Sequence, residues 1–334
     1  MKTIVFGNGL GMALNNTHFS LESAFKSADE SSALDDTQKE LISLVKRLFA
    51  QNGMPQKEEH LGILHQAVNA THLLSSLGQS GSDFLTANGK MLPTAANSYI
   101  TRVALHFWNK DHSKQKDYEL PPNFSNSLIE FVKGSAHVVT LNYDGLLYNS
   151  LNELMGGYNG WLIDGMLDRG FESQNLEPIN GGRKHGWYLH LHGSPLFYDD
   201  PKTKLPKKFS RIDSKFAADT VLRRHIVLSA FDQKLGIISQ SNLLSAYWSF
   251  FERALAMSDA IILCGYSGSD GHINEAIKKS VNDATKLRNN KKIIVVEWNG
   301  GITKMDWKTN LNTSNCHFEH FLMDNILEFD WSNL

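Results

Sequence analysis

The 334-residue chain lacks the features that would place it outside the ordinary globular class. It has two cysteines, Cys264 and Cys316, which excludes a disulfide framework and a four-cysteine zinc site. No apolar run approaches the ~20 residues of a membrane helix. The run Thr3-Ile4-Val5-Phe6 ahead of the first glycine is too short for the core of a secretion signal. Neither sign of charge is in excess. With 33 Lys+Arg against 35 Asp+Glu, the net charge of -2 demands neither nucleic acid nor an anionic membrane. Internal repeats and low-complexity blocks are missing too. A cytoplasmic protein is the simplest expectation, with length for one large α/β domain or two modest ones.

What is present is a series of short β-rich runs separated by helical stretches. Residues 3–6 read as a buried strand running into Gly7-Asn8-Gly9-Leu10-Gly11, with a helix beginning near Met12. Such glycines let backbone N–H groups approach a pyrophosphate at a helix end. A plain tight turn is the other reading, because Met12 stands where the dinucleotide fingerprint has its third glycine. From 20 to 133 the period turns helical. One apolar face is expected through Leu41, Leu44, Val45, Leu48 and Phe49, another through Leu61, Leu64, Val68 and Leu73. Two more stripes follow at 94–108 and 123–131, so 20–133 is expected as a helical insertion between the first and second strands. Apolar runs at 138–141, 187–191, 225–229, 260–264 and 292–297 complete a Rossmann-like α/β fold. Its sheet is expected to be mostly parallel, with helices on both faces.

The polar residues stand at the strand ends. Residues 138–141 stop at Asn142-Tyr143-Asp144-Gly145, and in extended backbone Asn142 and Asp144 point the same way. The plainer alternative makes Asp144 the cap of a following helix. Residues 187–191 end in His192-Gly193, with Tyr188, His190 and His192 on one face. His192 suits a general base, or is a satisfied strand-end histidine. His190 with His192 could begin a metal site, but no further ligands follow at suitable spacing. Residues 260–264 end in Gly265-Tyr266-Ser267, a second phosphate or ribose cradle. Glu297 closes the last strong strand, either as an acceptor for ribose hydroxyls or as an ordinary strand end. Lys202, Lys204, Lys207, Lys208, Arg211 and Lys215 read as a basic surface hairpin, with an anionic partner as the alternative. Cys264 reads as a small buried hydrophobe.

Gly7-Asn8-Gly9, Asn142-Tyr143-Asp144, His192-Gly193 and Gly265-Tyr266-Ser267, in that order and each at an expected strand end, resemble the sirtuin-like (Sir2-like) superfamily. The likeness spans residues 3–297 and is greatest to members from bacterial anti-phage systems. It implies a single domain, 1–334, that binds NAD+. Gly7, Asn8, Gly9 and Gly11 would take the pyrophosphate, and Asn142 and Asp144 the nicotinamide ribose and carboxamide. Gly265, Tyr266 and Ser267 would hold the adenosine side, with Glu297 as a further acceptor, and His192 would be the base. Two departures stand out. Residues 194–228 contain no cysteine, so the basic hairpin at 195–224 replaces the zinc module and no metal is expected. Asn8 also stands where the family has alanine. The implied activity is hydrolysis of the nicotinamide–ribose bond, with Asn142, Asp144 and His192 catalytic and NAD+ the substrate. The implied role is a switched defence effector, as a homo-oligomer or with a HerA-like ATPase. A non-catalytic NAD or ADP-ribose sensor and an NAD-dependent protein deacylase are the alternatives.

Overall fold

The computed structural model describes residues 1–48, 57–108, 118–155, 160–167, 170–177, 185–209, 225–229, 231–286, 291–311 and 316–334. Seven strands form one sheet: β1 Lys2–Phe6, β2 Ala136–Thr140, β3 Leu162–Ile163, β4 Gly186–His190, β5 Ala260–Cys264, β6 Lys292–Trp298 and β7 His317–Met323, in the order β7-β6-β5-β1-β2-β4-β3. Every pair is parallel, so the mostly parallel expectation is met in full. From β1 the chain adds β2, then the edge strand β3, then β4 between those two, and it crosses back to place β5 on the other side of β1. The β1/β5 boundary is therefore the switch point, where α/β sheets open a crevice at the strands' carboxyl ends.

Among the described residues seven helices stand between β1 and β2: α1 Gly9–Asn15, α2 Leu21–Asp29, α3 Asp36–Lys46, α4 Gly62–Ser76, a short turn of helix at Gly78–Ser82 that is not numbered, α5 Leu92–Trp108 and α6 Pro122–Lys133. Later come α7 Leu146–Ser150, α8 Phe231–Ser239, α9 Asn242–Met257, α10 Gly271–Lys286 and α11 Lys304–Leu311. The alternation of strand side chains divides the interior in two. Ile4, Phe6, Val138, Ile262 and Val296 join Phe25, Tyr99 and Phe124 in one apolar cluster. Val5, Val139, Leu263 and Val295 join Tyr247 and Phe251 of α9 and Ile277 of α10 in the other. Both faces are covered, which is why the strands read as unbroken apolar runs.

The structure corrects several local expectations. In α3, Ile42 and Lys46 turn inward, while Leu44 and Leu48 are 50% and 71% exposed. Lys46 takes the interior place because it pairs with Asp29 and lies 4.4 Å from the centre of the Tyr99 ring. Phe49, assigned to the same face, lies outside the described residues. In α4, Leu73 is likewise exposed. Residues 225–229 form no strand, only a single bridge between Ile226 and Gly193. The basic hairpin is real at Phe197–Asp199 and Pro206–Lys208, but it is tethered: Lys208 pairs with buried Asp164 and Lys207 with Asp200. Arg211 and Lys215 lie outside the described residues. Strand β7 was not expected, because a strand with a single neighbour can alternate polar residues such as His317, Glu319 and His320.

Two histidines inside the sheet make the fold acid-sensitive. His137 Nδ1 accepts the Trp187 N–H at 3.1 Å, and burial pushes this imidazole down to about 3. Burial does the same to His190, whose ring sits among Tyr188, Phe197 and Tyr148. The unfolded chain takes up these two protons near pH 6.5, and the folded chain refuses them. Their contribution is therefore complete above pH 6.5 and is lost as the pH falls. Going from pH 7 to 5 is expected to cost about 2 kcal/mol for each. Urea midpoints at pH 7, 6 and 5 measure this, and equal midpoints would contradict it.

Candidate active site

The carboxyl ends of β5, β1, β2 and β4 are neighbours along one sheet edge. Phe6 pairs with Cys264, so the chain leaves β1 and β5 side by side as Gly7 and Gly265. Gly7 N donates to Cys264 O at 3.1 Å and Gly9 N to Gly265 O at 2.9 Å. A Cβ on Gly7 would meet Gly265 O at 2.6 Å, and one on Gly9 would meet Gly265 Cα at 2.6 Å. Backbone against backbone leaves no room for side chains there. These glycines are thus required by the contact between two loops, independently of any ligand.

Asn142 follows β2 by two residues and is buried, its Nδ2 donating to Gly7 O at 3.0 Å. The side chain is thereby clamped across the β1/β2 ends. Its Oδ1 is buried and accepts no hydrogen bond from the described residues. An unpaired buried acceptor costs ~1–3 kcal/mol, a cost that an incoming hydroxyl or amide removes. Asp144 lies beside it, also buried, with Oδ1 accepting Leu146 N at 3.0 Å. The cap of α7 is Gly145, so Asp144 is not the capping residue of the plainer reading; its side chain reaches the Leu146 N–H from one residue further out. Burial raises its carboxyl to about 6, against backbone hydrogen bonds that lower it. Tyr143 points elsewhere, its hydroxyl donating to Val227 O at 2.5 Å.

His192 stands two residues past the end of β4 rather than on the strand itself. Gly193 makes the turn with φ of +82°, and a Cβ there would fall 1.6 Å from His225 O. Leu191 N donates to Thr140 O at 3.0 Å, which holds the His192 segment against the chain leaving β2. His192 Nε2 lies 3.2 Å from Nε2 of His272 at the start of α10. Burial drives His192 well below the ordinary histidine range and His272 down to about 4, so both are neutral at pH 7. Asp270 is adjacent to the pair. Burial opposes its ionisation, but the Lys234 ammonium, by its charge and its hydrogen bond, helps to hold the carboxyl below the usual range. Lys234 of α8 pairs with Asp270 and, at 2.6 Å, with Glu58 from the segment preceding α4.

The profile of the SIR2-like domain matches residues 136–316, just over half of the chain and all of the span holding Asn142, Asp144, His192 and Gly265. The chain belongs to the SIR2-like domain family. A search of the curated proteins finds no match. The matched span of this SIR2-like domain begins at β2, so β1 and its glycine loop join the site through strand pairing with β2 and β5.

The remaining assigned residues of the SIR2-like domain are less open. Asn8 Nδ2 donates to Phe19 O at 2.9 Å, and a Cβ on Gly11 would meet the Phe19 ring at 2.6 Å. The buried Tyr266 side chain faces inward, with its hydroxyl 2.9 Å from Asn274 Oδ1. Ser267 is exposed and donates to Ser269 Oγ at 2.9 Å. Glu297 Oε1 accepts from Trp307 Nε1 at 2.8 Å and lies 2.5 Å from His320 Nε2, which leaves Oε2 for anything else. Those contacts join it to α11 and β7, away from the Asn142 group. Sequence reasoning missed Asp270, His272, Lys234 and Glu58. Asp270-Gly271-His272 was readable as a helix start, but nothing in the order of residues joins it to His192.

Proposed function

We propose that this SIR2-like domain hydrolyses the nicotinamide–ribose bond of NAD+, giving nicotinamide and ADP-ribose. The observation that carries this reading is the Asn142 side chain, with one end fixed to Gly7 and the other, Oδ1, buried and unpaired. Breaking this bond builds positive charge on the ribose and releases a neutral base. The reaction thus needs orientation and electrostatics more than a strong nucleophile. Asn142 would orient a ribose hydroxyl or the attacking water. Asp144, once ionised, would stabilise the developing charge or hold the carboxamide. Neutral His192 would accept the proton. Gly7–Gly11 and the turn at Gly265–Ser267 would carry the phosphates and adenosine side, with Glu297 Oε2 as an outer acceptor.

The helical insertion, 20–133, would form one wall of the site. Two contacts support this: Glu58 reaches Lys234, and a Cβ on Gly145 would come 2.9 Å from the Trp108 ring. The family resemblance extends the reading to a cytoplasmic defence effector that depletes NAD+, as a homo-oligomer or with a HerA-like ATPase. The scarcity of cysteine fits such a compartment.

Asp144 gives a pH signature. Its carboxylate form is needed, so activity should rise with pH through about 6. Asp144→Asn should lower activity and remove that limb, as rates measured from pH 5 to 8 would show. Between about pH 4 and 6 the raised carboxyl also acts on stability, with a sign opposite to that of the buried histidines.

The direct test incubates the purified chain with NAD+ and separates nicotinamide and ADP-ribose by chromatography. Equimolar release, lost in Asn142→Ala and His192→Ala, supports hydrolysis; unchanged release in both variants rejects the mechanism. One observation favours a second reading. His192 Nε2 faces His272 rather than open space, which suits a sensor that holds NAD or ADP-ribose without cleaving it. Tight binding with no nicotinamide release would select that reading. O-acetyl-ADP-ribose formed with an acetyl-lysine peptide would instead select the deacylase.

A further inference from the structure

His192, Asp270 and His272 approach one another from two different parts of the fold. His192 follows β4, and the other two open α10 on the far side of the β1/β5 switch point. One ligand atom from each lies within 4.8 Å of the other two. The two Nε2 atoms are 3.2 Å apart, with the rings 23° from parallel. A tetrahedral zinc ion with Zn–N of ~2.0–2.1 Å holds two imidazole nitrogens about 3.3 Å apart. The separation already present is thus close to the edge of that tetrahedron.

We propose that His192, Asp270 and His272 bind one divalent transition metal of the zinc class, and that the ion holds His192 out of use. Two imidazoles and one carboxylate form a familiar three-ligand set with a fourth position left for water. Asp270 is the open corner, its side chain 19% exposed, while both histidines are buried. Lys234 does not block the site. It binds one carboxylate oxygen of Asp270 and is itself paired with Glu58, so Glu58, Lys234 and Asp270 together carry one formal negative charge. A hydrogen-bonded cation behind a ligating carboxylate is an ordinary outer-shell arrangement. The Trp248 ring stacks on His272 at 5.5 Å and fixes the imidazole's plane.

The inhibitory half of the proposal rests on the NAD+ hydrolase reading. A bound dication would occupy the nitrogen lone pair of His192. It would also place positive charge beside a ribose that becomes positive during bond breaking, which raises the barrier. The ion is therefore a brake on this chemistry, and its removal releases the base. Glu58 makes the same cluster sensitive to the helical insertion, because it competes with Asp270 for Lys234.

The test uses the full, untagged, metal-stripped chain and zinc chloride as the probe, read by isothermal titration calorimetry and by equilibrium dialysis with elemental analysis. One zinc per chain is expected, with affinity lowered at least about 100-fold in both His272→Ala and Asp270→Asn. Cobalt(II) should give the intense visible absorption of a tetrahedral site. Circular dichroism keeps the test valid if His272→Ala misfolds, since Asp270→Asn keeps the side chain's size and leaves both buried imidazoles and the Lys234–Glu58 pair in place. Absence of stoichiometric zinc, or equal affinity in a folded Asp270→Asn chain, overturns the site. One equivalent of zinc should also suppress nicotinamide release by the wild-type chain, and undiminished release with zinc bound overturns the brake. If no nicotinamide is released even without zinc, the hydrolase reading fails while calorimetry still decides the metal site.

Discussion

Replacing Asn142 with alanine is expected to reduce nicotinamide release by ~10²–10³-fold, the usual loss for one preorganised polar group in a water-poor site. Stability should change little. The variant gives up the Nδ2 bond to Gly7 O, but it also removes the unpaired buried Oδ1, and these two effects oppose each other. NAD+ binding by calorimetry should weaken in parallel if Oδ1 contacts the substrate before bond breaking. Kinetics and a thermal melt on the same preparation decide the matter. A large drop in melting temperature would make Asn142 a structural clamp instead, and full activity would remove it from the site.

His192→Ala carries the second large effect, ~10²–10⁴-fold in turnover, the range for a positioned base. The loss should fall on kcat more than on KM, because proton acceptance is completed only as the bond breaks. His272 cannot take over. Its nearest nitrogen is 3.2 Å beyond His192 Nε2, and Trp248 is stacked on its ring. His192→Gln separates positioning from chemistry, since an amide can hydrogen-bond in the same place but does not accept a proton at neutral pH. Equal losses in the two variants support a base. Recovery in His192→Gln would assign His192 to positioning, and activity within about 10-fold of wild type in His192→Ala would remove it from the mechanism.

Much of the arrangement could be read before the fold was known, and the physical reason differs from place to place. The strands at 3–6, 138–140 and 260–264 are buried on both faces, so their composition alone marks them. Asn142, Asp144 and His192 could be seen as strand-end residues because an apolar run that stops at polar side chains leaves few other places for them. The phase of α3 could be read only in part, because Leu41 and Val45 pack against the core as expected while Leu44 and Leu48 do not. Ile42 and Lys46 face inward because Lys46 meets Asp29 and Tyr99, and a rule that keeps charge outside fails when a tertiary partner exists. The edge strand β7 escaped for a related reason, as an edge asks for less apolar surface.

By itself, then, the sequence determined the αβ alternation, the glycine and polar residues at the strand ends, and the lack of a cysteine-based zinc module. These are local properties, set by composition and by periods of two and of about three and a half residues. Tertiary structure alone decided which of those ends meet. It set β5 beside β1, so Gly9 rests on Gly265. It tied Asn142 to Gly7 and brought His272, Asp270, Lys234 and Glu58 around His192. Such contacts depend on strand order and crossover, which bring together residues far apart in the chain and leave no periodic mark on it.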